Sequence, residues 1–128
     1  MLTLVAASIL SFMIFFPLVV ATYVFKVLDE NQSSKFLRIF FPKYYLYGFV
    51  LSAIGLTLST YYENKLSMLI FLLIMVGFIF SRQVLMPMIN KSKDLDDESK
   101  FNKLHKFSVF INFLQIIGSI FLLVTYLK

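Results

Sequence analysis

Four apolar runs, each long enough to cross a bilayer, leave this chain few ways to fold. A helix needs ~20 mostly apolar residues to span a ~30 Å hydrocarbon layer. Residues 2–25, 44–62, 66–90 and 107–127 each meet that need. The chain is 59% hydrophobic, against ~45–50% in soluble domains, so no water-facing core could absorb it. Sixteen Phe and seven Tyr without Trp point to aromatic side chains facing lipid. Inside a bilayer the backbone must satisfy its own hydrogen bonds, which selects helices here. The expected fold is all-α, an integral-membrane four-helix bundle forming a single transmembrane domain over residues 1–128.

Charge sets the expected orientation. No Lys or Arg precedes Lys26, and the first run is longer than the apolar core of a secretory signal. It is therefore expected to stay as a span, with Pro17 bending it. Ten of the twelve basic residues fall on one side: Lys26, Lys35, Arg38 and Lys43 in the first loop, then Arg82, Lys91, Lys93, Lys100, Lys103 and Lys106. Only Lys65 and Lys128 fall on the other. The positive-inside rule then predicts both long loops in the cytoplasm and both termini outside. In the first loop Phe36, Leu37, Ile39, Phe40 and Phe41 are too apolar for water. They predict a short interfacial helix, followed by an anchor of Lys43, Tyr44, Tyr45 and Tyr47.

Polar residues inside the runs predict which faces turn inward, because lipid cannot satisfy them. Gly48, Ser52, Gly55 and Ser59 recur at steps of four, three and four, the small-residue spacing by which membrane helices approach closely. His105, Ser108, Asn112, Gln115 and Ser119 follow at steps of three, four, three and four, a seam within about 80° on a helical wheel. These residues are expected to face partner helices, a ligand or internal water.

The stretch from Arg82 to Asn112 holds the candidate chemistry. Arg82 lies ~24 Å along the axis from Leu66, at an interface. His105, the only histidine, could ligate haem iron or copper through a neutral imidazole. Met86 or Met88 could add a thioether, and Arg82 could pair with haem propionates or another anion. His105, Met86, Arg82 and Asn112 are thus the candidate cofactor-binding set, with His105 as the metal ligand. The acids Asp94, Asp96, Asp97 and Glu98 lack the glycine and spacing of a calcium loop. They read as a solvated, self-neutralising turn, with Asp97 or Glu98 opening the next helix. Zero cysteines exclude disulfides and thiolate metal sites. No basic water-facing domain exists to bind nucleic acid.

The strings FPKYY (Phe41–Tyr45), MPMIN (Met86–Asn90) and FNKLH (Phe101–His105), with Ser108 and Asn112 after them, resemble an uncharacterised bacterial membrane family related to the transmembrane-protein-205 group. The resemblance runs over essentially the whole chain and implies a four-span bundle with no assigned reaction. More distantly the architecture is similar to copper-resistance protein D domains and HemJ-type proteins, which motivates haem b or copper as a cofactor. HemJ-type proteins use a histidine in their first span, and this chain has none there. The expectation is a non-enzymatic accessory or scaffold subunit of the bacterial inner membrane, in contact with lipid and other membrane subunits. The alternative is a haem-, copper- or solute-handling bundle with its site at the cytoplasmic end of spans three and four.

Overall fold

The structure, a computed structural model, describes residues 2–126. Leu127, the last residue of the fourth predicted span, and Lys128 lie outside the described residues. Four helices account for nearly all of it: α1 (Leu2–Val27), α2 (Glu30–Tyr61), α3 (Lys65–Asp94) and α4 (Glu98–Tyr126). All four are long and apolar enough to cross a membrane. The chain is a multi-pass membrane protein, and short turns make successive helices antiparallel. α2 packs most closely on α3 and α1 on α4, while α1–α2 and α3–α4 contacts close the ring.

The turns are built from capping chemistry. Asp29 opens α2, its Oδ1 accepting from Gln32 N at 2.7 Å. Ser33, buried one turn later, donates toward the Val24 and Leu28 carbonyls at 3.4 and 3.3 Å. α2 ends through Glu63 at φ 54°, with Glu63 N donating to Thr60 O and Asn64 N to Ser59 O. α3 ends the same way through Asp96, also at φ 54°, with Asp96 N to Lys93 O and Asp97 N to Ser92 O. This paired bonding is the Schellman motif. In each turn the next residue caps the following helix. Asn64 Oδ1 accepts from Ser67 N at 3.2 Å, and Asp97 Oδ1 from Lys100 N at 3.1 Å.

Each odd-numbered helix contains one widened π turn, Phe16–Val20 in α1 and Ser81–Leu85 in α3. Pro17 lies within the first and Pro87 just after the second. A proline removes a backbone donor and crowds the carbonyl one turn earlier; widening the helix absorbs both effects. α1 thus continues unbroken past Pro17 to Val27.

The separate interfacial helix predicted for the first loop is not present. Residues 30–43 are the first turns of α2, which runs straight through Pro42. With 32 residues, α2 is about 48 Å long, well beyond the ~30 Å hydrocarbon layer. Its apolar patch is buried partly on itself, Phe36 stacking on Phe40 at 5.5 Å. Helix therefore extends past the membrane at the loop-rich end. α3 continues to Asp94 and α4 begins at Glu98, both outside the predicted spans.

The interior is assembled from two kinds of helix. α1 and α3 supply large apolar groups, among them Ile9, Phe12, Met13, Phe71, Ile74 and Phe78. The buried faces of α2 and α4 are mostly small or polar: Gly48, Ser52, Gly55 and Ser59 in one, Ser108, Gln115 and Ser119 in the other. Rings fill the glycine notches. A Cβ on Gly48 would lie 2.5 Å from the Phe78 ring, and one on Gly55 would lie 2.4 Å from the Phe71 ring. Both pairs are spaced by seven residues, so one antiparallel register serves two contacts.

Candidate functional site

The candidate residues spread over the loop-rich half of the bundle, and their surroundings divide them. Arg82, in the π turn of α3, is half-buried. Its Nε donates to the Pro42 carbonyl at 3.1 Å and its Nη1 to Gln83 Oε1 at 3.1 Å. Met86, one turn on, is buried in the core. His105 is exposed on α4, its ring parallel to Phe101 with centroids 6.1 Å apart. Met86 and His105 therefore do not share an environment, and Met88 is exposed as well. Among the described residues no group of three His, Cys, Asp or Glu side chains could hold a metal ion.

The α4 seam continues into the bundle. Ser108 on α4 is buried, as is Tyr45 on α2. Gln115 Nε2 donates to the Ile74 carbonyl at 2.9 Å, and Ser119 Oγ to the Gln115 carbonyl at 3.0 Å. Gly77 makes room for this crossing, since a Cβ there would lie 2.6 Å from Gln115 Nε2. Several buried polar atoms lack a partner among the described residues: Asn112 Oδ1, Gln115 Oε1, and the Ser59, Ser81 and Tyr44 hydroxyls. Chemically, the two amide oxygens are acceptors for a donor that the described residues do not supply. On α2, Ser52 returns its hydroxyl to the Gly48 carbonyl at 2.7 Å.

Two arrangements escape the sequence reading. Tyr44 and Tyr45, predicted as an interfacial anchor, are buried, and only Tyr47 of the three stays exposed. Tyr44 sits among aromatic rings, 5.0 Å from Phe12 and 5.7 Å from Phe41. The periodicity of a continuous α2 carries the signal, because Tyr44, Tyr45, Gly48 and Ser52 share its inward side. The second is an ion pair. Arg38 donates through Nη1 and Nη2 to Asp94 at 3.2 and 2.5 Å, and through Nη2 to the Asn90 carbonyl at 3.3 Å. It joins helices 56 residues apart in sequence, so no local pattern announces it. Asp94 lies beyond the apolar span, in water. Hydrogen bonding to the Arg38 guanidinium holds its carboxyl below the ordinary range.

The other acids have structural duties. Asp97 caps α4 and Asp96 holds the left-handed turn. With Glu30, Ser92, Lys93, Glu98, Phe101 and Asn102 they border a polar recess of about 310 Å³. Lys93 covers the Phe101 ring there, 5.6 Å from its centroid.

A family model described as a domain of unknown function, DUF4149, matches residues 4–98. The chain belongs to the DUF4149 family. The match takes in α1, α2, α3 and the turn after them, and so includes Arg82, Met86 and the whole α2–α3 interface. His105 and Asn112 lie on α4, past the matched DUF4149 segment. The comparisons with curated proteins and with solved structures found no match.

Proposed function

We propose that this protein is a non-enzymatic accessory or scaffold subunit that packs laterally within a larger complex of the bacterial inner membrane. One observation carries the reading: every helix turns large apolar side chains outward. Leu18 on α1, Ile54 on α2, Leu73 on α3 and Phe113 on α4 stand for four such stripes. Small side chains are turned inward and already filled, as at Gly48 and Gly55. The outer surface is thus broad and apolar, suited to neighbouring helices as well as to lipid. The relation to the transmembrane-protein-205 group suggested by FPKYY, MPMIN and FNKLH belongs to this same reading. The test is gentle detergent extraction from native membranes followed by size analysis and mass spectrometry. A larger assembly with a reproducible partner is expected; a lone, monodisperse monomer would overturn the reading.

A second reading, a cofactor or small-solute site at the loop-rich end of α3 and α4, has one observation behind it. Asn112 Oδ1 and, deeper in the bundle, Gln115 Oε1 are buried acceptors without donors among the described residues. For haem or copper, His105 and Met86 would have to reorient to share a ligand, since one is exposed and the other is in the core. An absorption spectrum decides haem, where absence of a Soret band after native purification sinks it. Metal analysis of wild type beside His105→Ala decides copper, with stoichiometric metal lost in the variant as the expected result.

A further inference from the structure

We propose that Arg82 and Lys43 form a site for the phosphate of an anionic lipid headgroup at the loop-rich membrane interface. The starting point is an uncompensated charge. The only ion pair among the described residues joins Arg38 to Asp94. Arg82 has no carboxylate, and both its recorded acceptors, the Pro42 carbonyl and Gln83 Oε1, are neutral. A guanidinium carries five N–H donors in a fixed fork. Two are used by those bonds, so three remain for an anion.

The geometry fixes where that fork sits. A free arginine near a helix end would snorkel among headgroups without preference. Here Nε is tied to the carbonyl of a neighbouring helix, which restricts the plane of the guanidinium. The same carbonyl belongs to Pro42, and the next residue is the exposed Lys43. The α3 cation is thus tethered to the residue that directly precedes the α2 cation. A phosphate takes two parallel N–H bonds from an arginine and a point charge from a lysine, which is the pairing this arrangement offers.

The surface beneath suits the rest of a lipid. Below Lys43, α2 exposes Leu46 and Val50 along the same helical face. This stripe is an apolar rail for an acyl chain running from the headgroup site into the bilayer. If Arg82 served only as a tether, a neutral amide donor would do the same work without bringing a charge to the edge of the hydrocarbon.

The experiment compares lipid retained by the full chain in native mass spectrometry, after exchange from micelles holding equal phosphatidylglycerol and phosphatidylcholine. Wild type is expected to retain phosphatidylglycerol preferentially, one molecule per chain. Arg82→Gln is expected to lower that retention roughly tenfold, the scale of a lost charge-assisted pair. Lys43→Gln should lower it several-fold, while Lys103→Gln, which removes the same charge at the same end, should leave it unchanged. Equal retention in wild type and Arg82→Gln overturns the proposal, as does an equal loss in Lys103→Gln. Should Arg82→Gln fail to fold, Lys43→Gln decides on the same criterion. A parallel arm adds inorganic phosphate alone. Displacement of phosphatidylglycerol by millimolar phosphate would assign the site to a free anion and overturn the lipid assignment.

Discussion

Gly48, Gly55 and Gly118 all lie within membrane helices, but they differ in clearance by about an ångström. A methyl group at Gly48 or Gly55 would meet an aromatic ring at 2.5 or 2.4 Å, whereas at Gly118 the nearest atom is an Ile70 methyl at 3.4 Å. Phe71 and Phe78 are fully buried and have nowhere to retreat. Gly48→Ala and Gly55→Ala are therefore expected to destabilise the bundle by about 1–3 kcal/mol each, the usual cost of overpacking. Gly118→Ala is expected to be tolerated. Reversible unfolding in mild detergent measures all three, and equal effects would count against rings seated on glycine. The glycine stripe is legible from spacing alone. Its filling by phenylalanine is not, because nothing local in α3 distinguishes Phe71 and Phe78 from the exposed Phe80.

At the scale of elements, four helices are legible because each carries an uninterrupted apolar run longer than any soluble core demands. Their ends are less so. Pro42 looks like a boundary, yet α2 passes through it, and the helix starts at the Asp29 cap, outside any apolar signal. The turn after α3 shows how four acids divide their roles, and it yields two predictions. Asp96 holds φ 54°, where a side chain is strained and glycine is not, so Asp96→Gly is expected to be neutral or to stabilise by up to about 1 kcal/mol. Asp97→Ala, one residue later, removes a helix cap and is expected to cost about 1 kcal/mol. Thermal unfolding of the pair separates them by sign. Asp94 adds a pH dependence. Its carboxyl is held below the ordinary range by Arg38, so its contribution is complete above the unfolded-state value and is lost as pH falls through the folded-state value. The gap in unfolding temperature between wild type and Asp94→Asn should thus be full at about pH 7 and should narrow progressively once pH falls below the ordinary aspartate value of about 3.9. A gap that persists in acid would exclude the Arg38 pair as its source.

For the whole molecule, the absence of cysteine gives a clean test of orientation. Single cysteines at Glu63 and Asp96, both in tight turns, should react from opposite faces of the membrane with a reagent that cannot cross it. The charge bias predicts Glu63→Cys labelled from outside intact cells and Asp96→Cys labelled only after lysis. The reverse result would invert the topology proposed from the ten basic residues. The candidate site is less legible than the bundle. Spacing identifies the inward seam on α4, but only tertiary packing separates Met86 from His105 and gives Arg82 its tether.

The division of labour between bulky and small-faced helices also bears on how the chain is made. α4 is synthesised after the other three helices, and its interhelical donor, Gln115, bonds the Ile74 carbonyl on a helix made earlier. Nearer the short-loop end of the bundle, the Tyr126 hydroxyl donates to Asn64 Oδ1 in the turn between α2 and α3, at 2.7 Å. A nascent chain released before α4 would leave Ile74 and Asn64 without those partners and one flank of α1 bare. Biogenesis accordingly has a closing step, the arrival of α4, and ribosomal products truncated ahead of it are the ones a membrane quality-control protease would meet open.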